Sequence, residues 1–433
     1  MANHDGHPTI AGQPVTRRSV MRGLGAIVGA SATLGTIGGA GSVRGVVHGA
    51  AAQTDPVGPY DRSILPAGVR SRFVHSINGL SMHVLEAGDN DRPLLLLLHG
   101  FPELAYSWRH VMMPLAEAGY HVIAPDQRGY GRTTGWDPDY DGDLRSFSRL
   151  NVVRDALALV SAYGYRTVDA VIGHDFGSPI AAWCAVTRPD IFQAVALMSA
   201  PFGGTPTLPF DTADDPPLTG ASAGPSIYDE MTRLSRPRKH YQRYYRTREA
   251  NTNMWHAVQG VHDFLRAYYH HKSADWTENK PYRLASWSPT EVAKMPTYYI
   301  MDLAIGMAET VAKEMPTATE IAANEWLTDR ELRVYSEEYG RTGFQGGLQH
   351  YRSGVFSDEQ RTFAGRTIDI PSLFIAGSSD WGAYQRPGSL ERMQESACTD
   401  MRGVHFVEGA GHWVQQEQHS DTADLLLDFL RDA

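Results

Sequence analysis

The sequence predicts an α/β fold, with a mostly parallel central sheet, helices on both faces and a helical segment inserted after the sixth strand. Three observations predict it. Leu94-Leu95-Leu96-Leu97-Leu98 is an unbroken apolar run, as expected of a strand buried on both faces of a parallel sheet. Apolar strands alternate with amphipathic helices from about residue 70 onward. The alternation stops between about residues 203 and 355 and resumes at Leu373-Phe374-Ile375, so a stretch of different character interrupts one fold.

The elements follow in order. Arg70 to Ile77 and Leu80 to Ala87 read as two strands joined at Asn78-Gly79, a turn pair that tolerates positive φ. Leu94 to Leu98 is the next strand, Trp108 to Ala118 a helix, and His121 to Ala124 a strand. Asn151 to Tyr163 has the spacing of an amphipathic helix. Val168 to Ile172 is a strand, Pro179 to Val186 a helix, and Ala194 to Met198 the sixth strand. A loop rich in Pro, Gly, Asp and Ser, about 204 to 226, opens the insertion. Within it, Met254, Val258, Val261, Leu265 and Tyr268 fall on one stripe and predict a single helix. Leu373 to Ile375 and Val404 to Val407 are the returning strands. A final helix begins near Ser420 or Asp421, both good N-caps, and carries Leu425, Leu426, Phe429 and Leu430. The expected organisation is a leader at 1–52, a core at 53–202, a helical insertion at 203–355 and the rest of the core at 356–433.

Composition narrows the function classes. With 433 residues, 42% of them hydrophobic, the chain can bury a large core, which excludes a disordered protein. Lys+Arg 39 against Asp+Glu 49 leaves a net charge of −10, which argues against a nucleic-acid partner. Two cysteines, Cys184 and Cys398, are too few for a disulfide scaffold or an all-cysteine zinc site and are expected to be free thiols. Thr16-Arg17-Arg18-Ser19-Val20-Met21-Arg22 has the form of a twin-arginine export signal. The uncharged stretch from Gly23 to Val43 is long enough to span a bilayer but too poor in large hydrophobes to remain there. Ala50-Ala51-Ala52 supplies small residues for cleavage before Gln53. The expectation is an exported protein, periplasmic or extracellular, with no membrane span after processing.

The chemistry gathers at predicted strand ends. Gly173-His174-Asp175-Phe176-Gly177 lies between a buried strand and a helix, the context of a nucleophile elbow. Its apex is Asp175. A carboxylate suits displacement at a saturated carbon, after which water must attack the resulting ester on Asp175 itself. Gly409-Ala410-Gly411-His412-Trp413 places His412 after the last strand, and Gly377-Ser378-Ser379-Asp380-Trp381 places Asp380 after the one before it. The order Asp175, Asp380, His412 is the nucleophile, acid and base order of α/β-hydrolases. Asp380 would orient His412 and His412 would deprotonate water. The backbone N–H groups of Phe101, in His99-Gly100-Phe101-Pro102, and of Phe176 would stabilise the oxyanion. Ser199-Ala200-Pro201-Phe202, after the sixth strand, supplies no competing carboxylate. Asp137-Pro138-Asp139-Tyr140-Asp141-Gly142-Asp143 imitates the start of a calcium loop, but the twelfth position is Ser148, so it reads as an acidic surface loop. His262, His270 and His271 lack a partner at zinc spacing. No metal or cofactor is expected.

These residues give the chain its resemblance to the epoxide hydrolases of the α/β-hydrolase fold, over roughly residues 68 to 432. It rests on His99-Gly100-Phe101-Pro102-Glu103, Trp108-Arg109-His110, Asp126-Gln127-Arg128-Gly129-Tyr130-Gly131, the elbow, Asp380 and His412. The resemblance implies that the insertion is a cap over the nucleophile and that two cap tyrosines protonate the opening ring. One maps to Tyr351, in Thr342-Gly343-Phe344-Gln345-Gly346-Gly347-Leu348-Gln349-His350-Tyr351-Arg352. The other maps to Tyr241 in His240-Tyr241-Gln242, with Tyr244 and Tyr245 one helical turn away as alternatives. It implies opening of a small hydrophobic epoxide by water to a vicinal diol through an ester on Asp175. Met254, Trp255, Phe264 and Trp287 are the apolar cap residues that suggest such a substrate. Two other functions share this framework. A haloalkane dehalogenase would use the same nucleophile but needs side-chain N–H donors for the halide, and Phe101 and Phe176 have none. An inactive binding module would be free to lose the triad that this chain keeps.

Overall fold

A computed structural model describes residues 57–208 and 226–433. The twin-arginine segment and most of the loop that opens the insertion lie outside the described residues. The strands are β1 (Arg70–Ile77), β2 (Leu80–Ala87), β3 (Leu94–Leu98), β4 (His121–Pro125), β5 (Ala170–His174), β6 (Val195–Met198), β7 (Arg238–His240), β8 (Ile300–Asp302), β9 (Ser372–Gly377) and β10 (Met401–Val407). Eight of them form one sheet in the order β1-β2-β4-β3-β5-β6-β9-β10. The β1/β2 and β2/β4 pairs are antiparallel. Every other neighbour in this sheet is parallel.

The leucine run shows why the sheet is buried twice. Leu95 and Leu97 join the apolar cluster on one face, with Trp108, Met112, Leu426 and Phe429. Leu94, Leu96 and Leu98 join the other, with Leu159, Ile180 and Trp183. The period of two in a strand sends alternate side chains to opposite faces. Cys184 and Cys398 are buried free thiols, and burial pushes both thiol pKa values up.

Three expectations are corrected. The stretch from Trp108 to Ala118 is not one helix: a 3₁₀ turn at Ala105–Trp108 precedes a helix at Met112–Glu117. Pro114 falls in that helix's first turn, where no backbone donor is required, so the helix can begin just ahead of it. The stripe from Met254 to Tyr268 belongs to two helices, Glu249–Trp255 and Gly260–Lys272. Gly260, where the second helix begins, has φ +79°, which interrupts right-handed geometry between the two, and Val258 in the connection is fully exposed. The last helix, His419–Asp432, begins a residue before the expected caps. Its apolar face is as expected, with Leu426 and Phe429 buried and Leu425 and Leu430 packed beside them.

The insertion leaves the sheet after β6 and returns before β9. It is mainly helical, and β7 and β8 pair in it as a small antiparallel sheet that the sequence did not suggest. The helix Gln345–Arg352 lies directly on the core. A Cβ on Gly346 would meet the backbone of Gly129, and one on Gly347 would meet the Phe101 ring at 2.6 Å. Two glycines therefore permit the contact that sets this helix over the elbow. Among the described residues, no helix is long and apolar enough to cross a membrane.

Candidate active site

Asp175 follows β5 directly and precedes the helix Gly177–Thr187. Its φ is +49°, a left-handed turn that lifts the side chain off the sheet. The flanking glycines are sterically required. A Cβ on Gly173 would lie 2.2 Å from the Gly177 carbonyl oxygen, and one on Gly177 would lie 2.2 Å from that of Leu98. The loop after β3 approaches so closely that a Cβ on Gly100 would stand 2.4 Å from the Asp175 Cβ. This approach lets the Phe101 N–H donate to Asp175 Oδ1 at 2.9 Å. The structure shows no hydrogen bond from the Phe176 N–H to the same carboxylate in its unreacted form; Phe176 caps the elbow helix.

His412, in the loop after β10, faces both carboxylates. Its Nε2 lies 3.3 Å from Asp175 Oδ2 and its Nδ1 lies 3.1 Å from Asp380 Oδ1. The Gly382 N–H donates to Asp380 Oδ1 at 2.6 Å. Ser199, at the end of β6, donates its hydroxyl to Asp380 Oδ2 at 2.5 Å. Its Oγ is also 2.8 Å from His412 Nδ1. Because that hydroxyl proton points to Asp380, Nδ1 is the donor toward Ser199 and Asp380. The lone pair of neutral His412 then sits on Nε2, toward Asp175.

Burial alone would raise the pKa of Asp175, but His412, Lys272 and His174 outweigh it and hold the carboxyl below the ordinary carboxylate range. Burial and the Lys272 ammonium push His412 down, yet Asp380 and Asp175 together leave it above the ordinary imidazole value. Asp380 is likewise depressed: burial is overcome by His412, the Ser199 hydroxyl and the Gly382 N–H.

Residues behind the triad bind its three loops together. Glu103 accepts from the Gly100 N–H at 2.9 Å and from the Gln415 and Gln416 side chains at 2.8 and 3.1 Å. His174 Nδ1 is 2.6 Å from Glu103, and its Nε2 is 2.7 Å from the His412 carbonyl oxygen. Glu103 and His174 are buried and find their partners inside the protein, while the Gln415 Oε1 is left without one. Lys272, the last residue of Gly260–Lys272, accepts the His412 N–H through its own carbonyl at 2.9 Å. Its ammonium is enclosed by aromatic rings, at 5.0 Å from Tyr299 and 5.2 Å from Trp413. Ser199 and Lys272 were not singled out from sequence. Ser199 had a signal in its place at the end of the sixth strand, whereas Lys272 had none.

Tyr241 and Tyr351 line one cavity with Asp175, about 390 Å³ in volume. Tyr241 begins directly after β7, and its N–H is held by the Tyr299 carbonyl next to β8 at 2.8 Å, so the unexpected small sheet positions it. Its hydroxyl donates to Gln385 at 3.3 Å and accepts from Gln242 at 3.1 Å. The Tyr351 ring packs between Phe101 and Phe176, at 5.6 and 5.1 Å between centroids. Burial and the nearby Asp175 charge raise the Tyr241 phenol, and burial with Tyr241 and Asp175 raises that of Tyr351, so both remain protonated donors. The alternatives are occupied elsewhere: Tyr244 donates to Asn253 at 2.8 Å and Tyr245 to Tyr268 at 3.1 Å. Of the apolar cap residues, Met254, Trp255, Phe264 and Trp287 do not line this cavity; Phe176, Trp183 and Phe202 of the core do. A cavity of about 420 Å³ beside Arg266 and Trp326 is not lined by Asp175, Asp380, His412, Tyr241 or Tyr351. Among the described residues, no group of three His, Cys, Asp or Glu is placed to hold a metal ion.

A carboxylate on a strained elbow, a paired imidazole and two facing phenols form a site able to open a polarised ring and then hydrolyse an ester. Residues 93–418 match the family described as alpha/beta hydrolase fold. Epoxide hydrolase B of Mycobacterium tuberculosis is 30% identical over 363 residues, which is 79% of this chain and 92% of that protein. Epoxide hydrolase A of the same organism is 30% identical over 82% of this chain and 95% of its own. A solved epoxide hydrolase from an endophytic Streptomyces has a TM-score of 0.66 at 30% identity, covering 84% of this chain and 96% of that one. Potato (Solanum tuberosum) epoxide hydrolase I has a TM-score of 0.64 at 28% identity, covering 84% and 100%. Sequence, fold and relatives thus agree, and the chain belongs to the epoxide hydrolases of the α/β-hydrolase fold.

Proposed function

We propose that epoxide opening here runs through a covalent ester on Asp175. The epoxide's apolar body lies along Phe176, Trp183 and Phe202. An Asp175 oxygen attacks one ring carbon from behind, the opposite C–O bond breaks, and Tyr241 or Tyr351 protonates the alkoxide. His412 then takes a proton from water, and the hydroxide attacks the Asp175 carbonyl. The Phe101 and Phe176 N–H groups stabilise the oxyanion. Collapse releases the diol as His412 protonates the departing oxygen. The remaining proton of the water restores the phenol, so epoxide plus water balances to diol.

The observation that carries this reading is that Asp175, with His412 at 3.3 Å, shares one cavity with both tyrosines. The electrostatics support the sequence of steps. Esterification removes the Asp175 charge that helps hold His412 protonated, while Lys272 continues to oppose protonation. The imidazole therefore becomes a free base when water has to be activated. The experiment is intact-mass analysis of a His412→Gln variant incubated with epoxides and haloalkanes. A gain of one whole epoxide, mapped to Asp175, is the expected result. An alkyl adduct without its halogen would favour dehalogenation instead, and no adduct would defeat the covalent route.

Export by the twin-arginine route is also proposed, supported by Thr16 to Arg22 and the cleavable segment after it. Replacing Arg17 and Arg18 together by lysine is expected to retain the protein in the cytoplasm, as read by cell fractionation. Continued export of that variant would remove the proposal.

A further inference from the structure

The cavity that reaches Asp175 carries charge that ring opening does not use. Arg149, Arg386 and Arg392 line it, and among the described lining residues the sole carboxylate is the nucleophile itself. Several buried or half-buried arginines elsewhere in the fold find acids, as does the exposed Arg236: Arg128 pairs with Asp155 at 2.7 Å, Arg132 with Glu338 at 2.7 Å and Arg236 with Asp302 at 2.6 Å. The three cavity arginines form no ion pair and no side-chain hydrogen bond with any described residue. In a chain of net charge −10, three unpaired guanidiniums lining one cavity are not a consequence of excess arginine.

Arg149 is the most constrained of them. It is the first residue of the helix Arg149–Ala162, and its guanidinium lies 5.4 Å from the ring of Phe176, the residue that follows Asp175 in the chain. Its Nη1 is enclosed without a hydrogen-bond partner. Burial, reinforced by the neighbouring Arg386 charge, pushes it down to about 10. A desolvated cation with a like charge beside it is costly unless an anion joins it. Arg392 reaches in from the rim, where Gly203 leaves it room: a Cβ there would lie 3.4 Å from Arg392 Nη2. The positive field extends to the cap, where burial with Arg386, Arg246 and Arg243 depresses His240, next to Tyr241, to about 3.

We propose that this cavity takes epoxides whose apolar body carries a carboxylate, which Arg149 and Arg386 bind while Arg392 attracts it at the rim. The planar guanidinium fork matches a carboxylate in geometry and charge. The proposal rests on the epoxide chemistry assigned above to the same site, and it names the substituent that selects the substrate. The apolar lining holds the chain between the two ends, and the arginines fix which end enters first.

The test compares kcat/KM for epoxy carboxylic acids with that for their methyl esters over a series of chain lengths. At the best length the acid is expected to be favoured by about tenfold or more, the range of a charge-assisted hydrogen bond. That preference should shrink as salt is raised. In an Arg149→Gln/Arg386→Gln variant the acid-to-ester ratio should fall toward one. The ratio is internal to each preparation, so partial misfolding does not produce it. The exposed Arg386→Gln change alone should lower it in the same direction. Esters turned over as well as acids at every length would overturn the proposal, as would a ratio that survives the double substitution. Turnover of neutral epoxides but of neither acid nor ester would overturn it while leaving the epoxide chemistry standing. No turnover of any epoxide would remove both.

Discussion

An Asp175→Ala variant is expected to lose epoxide turnover by about 10⁴-fold or more while keeping its fold. The size follows from the role: without the carboxylate no covalent bond to the substrate forms, and the imidazole, phenols and oxyanion donors have no ester to act on. Members of such a unit do not compensate for one another. The fold should survive because backbone contacts hold the elbow. The Asp175 N–H bonds the Met198 carbonyl at 3.2 Å, and the Ser178 N–H bonds the Asp175 carbonyl at 3.2 Å. Alanine can occupy φ +49° at a cost of about 1 kcal/mol. Removing the carboxylate also removes its favourable interaction with His412 and Lys272, so the melting temperature should fall by a few degrees rather than collapse. Diol formation and thermal melting check this together. A variant that melts far earlier would mark Asp175 as structural, and one that still forms diol would refute it as nucleophile.

Replacing Tyr241 and Tyr351 together by phenylalanine should slow ester formation by about 10³-fold, with a smaller loss for either alone. Two phenols facing one cavity can each donate to the developing alkoxide, so the first loss is cushioned by the survivor and the second is not. Phenylalanine preserves the ring packing of Tyr351 against Phe101 and Phe176 and of Tyr241 against Tyr299 at 5.1 Å. The two single variants should differ. The Tyr241 hydroxyl is held by Gln385 and Gln242, whereas the Tyr351 hydroxyl makes no hydrogen bond among the described residues. Tyr241→Phe should therefore also loosen a local network. Stopped-flow measurement of ester formation isolates the step. Equal rates in the double variant and the parent would exclude the phenols as acids.

Much of the candidate site was legible in residue order. A buried strand is written in consecutive apolar residues, as at Leu94 to Leu98, and a tight turn in its glycines, as at Gly173 and Gly177. Parallel strands all end at one edge of the sheet, so residues placed after successive strands meet there without any further signal. That is why Asp175, Asp380 and His412 could be picked out together from positions far apart in the chain.

The misses share a different cause. A helical stripe can run through a residue whose backbone interrupts the helix, and Gly260 decided against the periodicity around it. The choice of Tyr241 over Tyr244 and Tyr245 was open in the sequence; only Tyr241 of the three lines the cavity with Asp175, while Tyr245 donates to Tyr268, 23 residues away. Ser199 meets Asp380 across 181 residues. The pairing of β7 with β8 and the three unpaired arginines depend in the same way on neighbours that no local pattern specifies. Backbone geometry is encoded within a few consecutive residues, because sterics and burial periodicity act locally. The partner of a polar side chain, and therefore its charge state and its task, is set by whichever distant segment packs against it, and only the tertiary structure decided that.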